Sequence, residues 1–336
     1  MRIPVQCLQE TFETILLSRG VETETARIAA ENFTRSSVDG VYSHGVNRFP
    51  RVIDYLDRGL IDGSARPECV AGMGSVERWD GHMGLGNVNA RLAMERACAL
   101  AKQNGVGCVA MGNTNHWMRG GAYGWQAADA GLIGICWTNT RPNTPAWGSF
   151  QPLVGNNPFV LSVPRSDGQH IVMDCSMSQF SYGRIDLARM NGERLPVPGG
   201  WDEEGNLTDD PEAIARTRRV LPIGYWKGSG LSMVLDMIGA VLSGGNTVSD
   251  IGRKYADEIG LSQVFLALDP AFTTPEEIDR ILEPVLEDLQ NAQPMEPGGR
   301  VRYPGERTWQ TREENLRQGV PVNEEVWRSI QALLPR

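Results

Sequence analysis

The chain has 336 residues, of which 41% are apolar and 22% are charged, a composition typical of a folded globular protein. At ~150 residues per domain, this length predicts about two domains or one larger unit. The formal net charge of −9, from 41 acidic and 32 basic residues, disfavours nucleic acid and anionic membrane surfaces, so we expect neither as a partner.

The six cysteines form no C-x-x-C pair and show no metal-ligand spacing, a pattern typical of free thiols in a reducing compartment. The chain begins with an amphipathic pattern and not with the apolar stretch of a signal peptide. The longest apolar run, residues 230–242, is too short to span a membrane and contains Asp236. We therefore expect a cytoplasmic protein without a metal site.

Apolar residues at helical spacing predict three helices in the first sixty residues, with Phe12, Phe33 and Phe49 on their apolar stripes. The pattern then changes. Between about residues 75 and 269, short β-branched runs predict strands at 106–111, 132–138, 159–163, 171–174 and 264–269. Two helices are expected among these strands, at about 89–103 and 230–243.

The C-terminal third is predicted to be helical again. Thr274-Pro275-Glu276-Glu277 is a capping box with proline at the first helical position, and two further helices are expected near 312–317 and 323–334. Because both ends are helical and the middle contains strands, we expect an α/β (α+β) fold. In it, residues 1–74 and 275–336 form a discontinuous helical domain, and residues 75–274 form an α/β domain.

One glycine pattern of the dinucleotide-binding type is present in the wrong context. Residues 105–110 have the spacing G-x-G-x-x-A, which in such a site must follow a strand and open a helix. Here a predicted helix precedes the glycines and a predicted strand follows, so we interpret them as a helix stop and a core strand. The chain also lacks a P-loop, a G-x-S-x-G elbow and an H-E-x-x-H pair, which argues against an ATPase, an acyl transferase and a zinc hydrolase.

Two of the four histidines lie in polar, glycine-rich segments. His44 and Arg48 are four residues apart, within reach of each other on a helix or a turn. An imidazole beside a guanidinium suits acid–base chemistry on a 2-oxo or 2-hydroxy acid, although a structural surface turn fits the same residues. His116 precedes a Gly-Gly pair that lets backbone approach a ligand, and a core or loop histidine is its equal alternative.

Two further segments have polar turns at the ends of predicted elements. Residues 170–176 form a strand that runs into a polar turn, and residues 224–228 form a turn before a helix. Backbone amides, a hydroxyl and Lys227 in these segments suit phosphate or ribose binding, and they suit ordinary loops equally well. These residues by themselves give only weak support for a small-molecule enzyme.

Four longer strings resemble the type 2 malate/lactate dehydrogenase family: YSHGVNRFPR at 42–51, NHWMRGG at 115–121, GICWTN at 134–139 and LPIGYWKGSG at 221–230. The similarity extends over essentially the whole chain. It implies an oxidoreductase that uses NADH, with NADPH as the open alternative, and a small-molecule 2-oxo or 2-hydroxy acid. It also implies a non-Rossmann mixed β-sheet that binds the cofactor, and a homodimer with the active site between subunits.

The resemblance also implies roles for individual residues. His44 is the implied proton donor to the substrate carbonyl oxygen, with Ser43 beside it. Arg48 holds the substrate carboxylate, and His116 lines the substrate and nicotinamide pocket. The implied cofactor contacts are His170, Ile171, Val172, Met173, Asp174, Cys175, Ser176, Trp226, Lys227, Gly305, Glu306 and Arg307.

The resemblance favours reduction of a 2-oxo sugar acid and leaves malate, sulfolactate, lactate and ureidoglycolate as alternatives. Trp117 and Trp147, which we place near the pocket, would favour a sugar acid over a small dicarboxylate. Arg184 follows Gly183 at a position where imine-reducing relatives carry an acidic partner of the histidine, which argues against an imine substrate.

A rival from another class is a non-catalytic or metal-binding protein in which His44 and His116 are ligands. The absence of a cysteine or carboxylate cluster at ligand spacing in the sequence counts against it.

Overall fold

The structure is a computed structural model that describes residues 1–335. Its helices are α1 (Val5–Ser18), α2 (Thr23–Val38), α3 (Phe49–Asp57), α4 (Gly86–Asn104), α5 (Gly121–Asp129), α6 (Tyr182–Asn191), α7 (Pro211–Thr217), α8 (Trp226–Ser243), α9 (Val248–Lys254), α10 (Pro275–Asn291), α11 (Glu306–Gln318) and α12 (Glu324–Gln331). Its strands are β1 (Arg2–Ile3), β2 (Glu68–Met73), β3 (Val76–Asp80), β4 (Val106–Asn115), β5 (Ile133–Thr138), β6 (Thr144–Pro145), β7 (Pro152–Val154), β8 (Phe159–Val163), β9 (Ile171–Cys175), β10 (Gly200–Trp201), β11 (Leu207–Thr208), β12 (Ile259–Leu268) and β13 (Val320–Pro321).

A seven-stranded mixed sheet with the order β2-β3-β4-β12-β5-β8-β9 forms the centre of the molecule. β3 and β4 pair in parallel, and the other neighbours in the sheet are antiparallel. β12 lies between β4 and β5, and its Phe265 is buried opposite Val109 and Cys136. This mixed sheet, flanked by helices, confirms the predicted α/β fold class.

The glycine pattern at 105–110 forms a helix stop and a core strand, as predicted. Gly105 ends α4 with φ 81°, a left-handed conformation that favours glycine. β4 begins at the next residue, and its stretch 107–112 is buried. No helix opens at these glycines, so they do not form a Rossmann phosphate site.

The sequence patterns did not predict several short elements. The structure has six helices between residues 75 and 269, not two. α7 and α9 have seven residues each, too short for a clear apolar stripe. α6 buries only Ile185 and Ala188. β2, which the patterns also missed, has all six residues exposed and therefore no apolar alternation.

The two ends of the chain meet. β1 pairs with β13 in an antiparallel register, and α12 contacts α3 beside a helical core in which the Phe12 and Phe49 rings stack 4.2 Å apart. α10 instead lies against the loop before β9, where Ser166 N donates to Asp279 Oδ1 at 3.2 Å. The predicted division into residues 1–74 plus 275–336 and residues 75–274 stays a prediction.

Within residues 1–335, no single helix has both the length and the apolarity needed to cross a membrane. The successive helices α8 and α9 are long and apolar enough only when taken together, and a bend of 78° separates them.

Candidate active site

His44 lies in a short 3-10 helix, Tyr42–His44, between α2 and α3. The turn fits closely on α2 at Gly45, where a Cβ atom would overlap Ser37 Oγ and lie 2.9 Å from the carbonyl oxygen of Phe33. Ser37 Oγ in turn accepts a hydrogen bond from Val46 N at 2.8 Å. Only glycine permits this approach, so the position of His44 is fixed by the backbone of a buried helix.

The rings of His44 and His116 stack, with centroids 5.7 Å apart and 20° between their planes. Ser43 Oγ lies 3.0 Å from His44 Nδ1. His116 Nδ1 accepts a hydrogen bond from Met118 N at 2.9 Å. Because a backbone N–H only donates, the neutral His116 ring carries its hydrogen on Nε2.

Arg48, the residue before α3, lies on the same side as the two histidines. Its Nη2 is 3.6 Å from Glu258 Oε2, and the two side chains are 20% and 13% exposed. A small cavity is bordered by both of these side chains together with Arg51, Tyr55, Asn115, His116 and Met118. The structure thus brings Ser43, His44, Arg48 and His116, the four residues implied as catalytic, into one region.

The electrostatic environment keeps both imidazoles neutral near pH 7. Burial lowers the pKa of His44 to about 4, Asp174 opposes this shift, and the charges of Arg48 and Arg119 add to it. Burial also lowers the pKa of His116 well below its usual value, with contributions from Arg48 and His44. Since each ring lies beside guanidinium groups, holding a proton there requires a compensating negative charge.

Asp174, near the end of β9, supplies negative charge toward His44. Its Oδ2 accepts a hydrogen bond of 2.7 Å from the amide of Gly121, the first residue of α5. A Cβ atom at Gly121 would lie 2.9 Å from this oxygen. Glycine at the helix start therefore lets the carboxylate reach the backbone amide.

A buried charge cluster supports the same region. Asp39, which ends α2 and is 0% exposed at its side chain, pairs with Arg119 and with Arg312 of α11. Burial alone would raise the pKa of Asp39, but hydrogen bonds and charge from Arg312 and Arg119 hold it below its usual value. The Arg312 guanidinium also lies 4.1 Å from the ring centre of Trp125. The cluster joins α2, the segment before α5, and α11.

Two of the three implied cofactor segments meet at the sheet edge. β9 is the last strand of the sheet, and its Val172 N donates to Pro304 O at 3.0 Å. Gly305 has φ 99°, and a Cβ atom there would lie 3.0 Å from His170 O. The side chain of Glu306 is buried in an ion pair with Arg300, while Arg307 is exposed.

The third implied cofactor segment, Trp226 and Lys227, lies at the start of α8. The strand-like bridge Ser178–Pro222 and the hydrogen bond from Ile223 N to Met177 O, 2.9 Å, place this start near the residues that follow β9. Trp226 is 65% exposed and Lys227 is also exposed. Ile171, Met173, Asp174, Cys175 and Ser176 are exposed or half-buried, and Val172 is buried. The exposed side chains of β9, the close turn at Gly305 and the accessible Lys227 fit an elongated, phosphate-bearing dinucleotide.

Other aromatic and histidine side chains have structural surroundings. His170 is 4% exposed, with Nδ1 accepting from Arg165 N at 3.0 Å and Nε2 lying 3.1 Å from Asp129 Oδ1. Both of its ring nitrogens are therefore occupied within the protein. Trp117, which we expected near the pocket, is instead a core residue, and the expected place of Trp147 near the pocket stays a prediction. Trp117 is buried against Tyr123 and Phe265, and Trp147 lies beside Trp201 and Tyr225, at the start of α8.

Sequence reasoning missed Arg51 and Glu258. Arg51 lies three residues after Arg48 on α3, so helical spacing was a usable signal for it. Glu258 has no local signal, because it reaches the site only through the pairing of β12 with β4. In residues 1–335, no group of three or more His, Cys, Asp or Glu side chains is arranged to hold a metal ion.

Comparisons with known proteins find matches over nearly the whole chain. The family model described as malate/L-lactate dehydrogenase matches residues 3–331. A protein named 2,3-diketo-L-gulonate reductase from Citrobacter koseri is 46% identical over 334 residues, covering 99% of this chain and 100% of that protein. The malate dehydrogenase structure from Entamoeba histolytica has a TM-score of 0.93 at 24% identity, covering 99% and 97% of the two chains. The sulfolactate dehydrogenase from Methanocaldococcus jannaschii has a TM-score of 0.88 at 27% identity, covering 99% and 96%.

Proposed function

This chain belongs to the malate/L-lactate dehydrogenase family of nicotinamide-dependent oxidoreductases, and we propose that it reduces 2,3-diketo-L-gulonate to 3-dehydro-L-gulonate with NADH. The full-length identity of 46% with a reductase of that name supports this substrate. The observation that carries the chemistry is the stacked pair of His44 and His116 beside Arg48, because it combines a proton-transfer group with a carboxylate anchor.

In this mechanism Arg48 binds the substrate carboxylate, and the adjacent ketone then faces His44. His44 in its imidazolium form donates a proton to the developing alkoxide, a contribution of ~10²- to 10⁴-fold in rate. Ser43 Oγ, 3.0 Å from Nδ1, holds the ring in orientation. His116, neutral and hydrogen-bonded through Nδ1, lines the pocket and presents Nε2–H to a substrate oxygen.

When bound, the nicotinamide of the cofactor would supply the hydride. Residues 170–176 along β9, Trp226 and Lys227 at the start of α8, and Gly305 to Arg307 would hold the dinucleotide, with Lys227 beside its phosphates. The His170 ring and the Glu306 carboxylate already have partners within the protein. Cofactor binding in these segments would therefore use the backbone of residue 170 and the side chains of Asp174 and Arg307.

We place NADH ahead of NADPH on the charge near Gly305. A cavity of about 510 Å³ beside this turn is lined by more carboxylates than guanidiniums: Asp167, Asp279, Glu283, Glu287 and Glu306 against Arg165 and Arg300. Net negative charge repels the additional phosphate of NADPH. If the adenosine end of the cofactor lies toward this cavity, the oxidised and reduced forms of NAD bind more tightly than those of NADP.

Parallel initial rates test the proposal. Purified protein is mixed with NADH or NADPH and with 2,3-diketo-L-gulonate, oxaloacetate, pyruvate or sulfopyruvate, and absorbance of the reduced cofactor is followed. We expect the largest kcat/KM with 2,3-diketo-L-gulonate and NADH. A larger kcat/KM with oxaloacetate, pyruvate or sulfopyruvate would assign the chain to a sister dehydrogenase of the same family.

We also propose that the protein is a homodimer that uses the apolar face of α8. Six apolar side chains of this helix are 41% to 73% exposed: Leu231, Met233, Val234, Met237, Ile238 and Val241. A contiguous apolar face of this kind marks an interaction surface. Because α8 starts at Trp226 and Lys227, a partner there would lie close to the proposed cofactor segment.

Light scattering after size-exclusion chromatography tests the dimer. We expect twice the mass of the chain for the wild type and a monomer for Val241→Glu. Val285→Glu on α10 is the matched control, because Val285 is 59% exposed and lies on another helix. A monomeric wild type, or dissociation by both variants alike, would contradict the assignment of this face.

A further inference from the structure

Three charged side chains line the cavity next to His116, and the proposed reaction uses only one of them. Arg48 and Arg51 are cations, and Glu258 is an anion. Glu258 is 13% exposed at its side chain and lies 3.6 Å from Arg48. Its charge is therefore held inside the site, where charge interactions are screened less than at the surface.

The sheet pairing explains how Glu258 reaches this position. β4 and β12 are antiparallel, and Asn115, the last residue of β4, pairs with Ile259, the first residue of β12. The residue after β4 is His116 and the residue before β12 is Glu258, so the two side chains leave neighbouring strand ends. Glu258 thus immediately precedes the central strand of the sheet, whose pairing with β4 brings it beside His116.

The adjacent acid, Asp257, has a different role. Its Oδ2 pairs with Arg58 at 2.6 Å, and its Oδ1 accepts from Tyr55 Oη at 3.2 Å. Asp257 does not line the cavity. Consecutive residues of one turn thus contact α3 at two points, and only Glu258 faces the substrate side.

We propose that Glu258 is a specificity-determining residue that positions Arg48 and matches the site to substrates with one negative charge. With His116 neutral, Arg48 and Arg51 against Glu258 leave the cavity with a net charge of about +1. A substrate with one carboxylate neutralises this charge. A dicarboxylate brings a second negative charge close to Glu258, and the repulsion weakens its binding.

This inference rests on the proposed function for the identity of the natural substrate. 2,3-Diketo-L-gulonate has one carboxylate, whereas oxaloacetate has two. Glu258 also pairs with Arg48 before the substrate carboxylate binds. This pairing directs the Arg48 guanidinium toward the cavity and limits its affinity for small anions.

The test compares kcat and KM for 2,3-diketo-L-gulonate and oxaloacetate in the wild type, Glu258→Gln and Asp257→Asn. Glu258→Gln keeps the side-chain size and removes the charge. We expect it to raise the kcat/KM ratio of oxaloacetate to 2,3-diketo-L-gulonate on the order of tenfold, mainly through KM for oxaloacetate. Asp257→Asn removes a charge from the same turn and should change this ratio less than ~2-fold.

Two more variants address the charge directly. Glu258→Asp retains the negative charge and should keep the wild-type ratio within about threefold. Arg51→Gln removes a cation and should move the ratio in the opposite direction, against the dicarboxylate. This second variant remains informative if Glu258→Gln does not fold, as judged by circular dichroism.

A binding measurement separates this inference from the proposed function. Oxamate has one negative charge and oxalate has two, and neither is reduced. Their dissociation constants are measured by NADH fluorescence on the protein–NADH complex. If Glu258→Gln binds oxalate more tightly relative to oxamate than the wild type does, the role of Glu258 is supported even if the wild type does not reduce 2,3-diketo-L-gulonate. An unchanged oxalate-to-oxamate ratio, or the same change in Asp257→Asn, overturns it.

Discussion

The imidazole rings of His44 and His116 lie nearly parallel, with centroids 5.7 Å apart, and each comes from a different part of the fold. His44 ends a 3-10 helix beside α2 and His116 follows β4. Since a charge on His44 lowers the pKa of His116, the pair holds one proton more readily than two. This arrangement suits a site in which one ring donates a proton and the other remains a neutral hydrogen-bonding partner.

Replacing His44 with alanine should reduce kcat for ketone reduction by ~10²- to 10⁴-fold, because the general acid is lost. The measurement is the initial rate at saturating substrate and NADH, with the melting temperature recorded for each protein. His82→Ala is the control, since the His82 side chain is 44% exposed and lies 3.5 Å from Glu68 and Asp80. Near wild-type turnover in His44→Ala would exclude His44 as the proton donor.

The reduction should become slower as pH rises. With the pKa of His44 at about 4 in the protein without substrate, the imidazolium fraction falls about tenfold for each pH unit above that value. We therefore expect kcat/KM for reduction to fall steadily from pH 6 to pH 8. Oxidation of the hydroxy acid uses the neutral imidazole, which is already fully populated, so its kcat/KM should not depend on His44 in this range. A reduction profile that stays flat across these values would disagree with the lowered pKa.

Asp174→Asn should lower the pKa of His44 further, because the Asp174 charge opposes the downward shift. An asparagine oxygen still accepts the hydrogen bond from Gly121 N, so the fold should change little. We expect kcat/KM for reduction at pH 7 to fall by about tenfold, with a smaller effect on the oxidation direction. Asp186→Asn, which removes a 56% exposed carboxylate from α6, serves as the comparison. Equal losses in both directions would indicate that Asp174 acts through the fold or through cofactor binding and not through the pKa of His44.

Gly305→Ala should destabilise the fold and weaken NADH binding. The left-handed conformation costs a non-glycine residue about 1 to 2 kcal/mol, and the new methyl group would lie 3.0 Å from His170 O and 3.1 Å from Val172 N. Gly298→Ala is a matched control, because Gly298 has φ 79° and no atom within 4 Å of its Cβ position. Thermal melts and NADH titrations should show a larger loss for Gly305→Ala. Equal losses would mean that contact with β9 carries no additional cost.

Much of the fold was predictable from local sequence. The apolar stripes through Phe12, Phe33 and Phe49 predicted three helices, which the structure contains as α1 to α3. The order of helix, Gly105 and strand also predicted that the glycine pattern is not a Rossmann site. These predictions succeed because the signal lies within one element or at one boundary.

The site was only partly predictable because it combines residues from distant elements. His44 and Arg48 are close in sequence, but the stacking of His44 on His116 depends on how β4 packs beside the turn after α2. Glu258 reaches the site only through the register in which β12 pairs with β4, and Asp39 contacts Arg119 and Arg312 only in the folded chain. Trp117 is next to His116 in sequence, yet it is buried against Tyr123 and Phe265, and no local pattern distinguished a core tryptophan from one that lines the pocket.

The Asp39 cluster links three distant parts of the chain. Arg119 lies 80 residues after Asp39 in the sequence, and Arg312 lies 273 residues after it. Without α11, the carboxylate that ends α2 would lack one of its two cations and would be costlier to bury. We therefore expect a variant truncated before α11 to hold the turn after α2, and with it His44, less firmly.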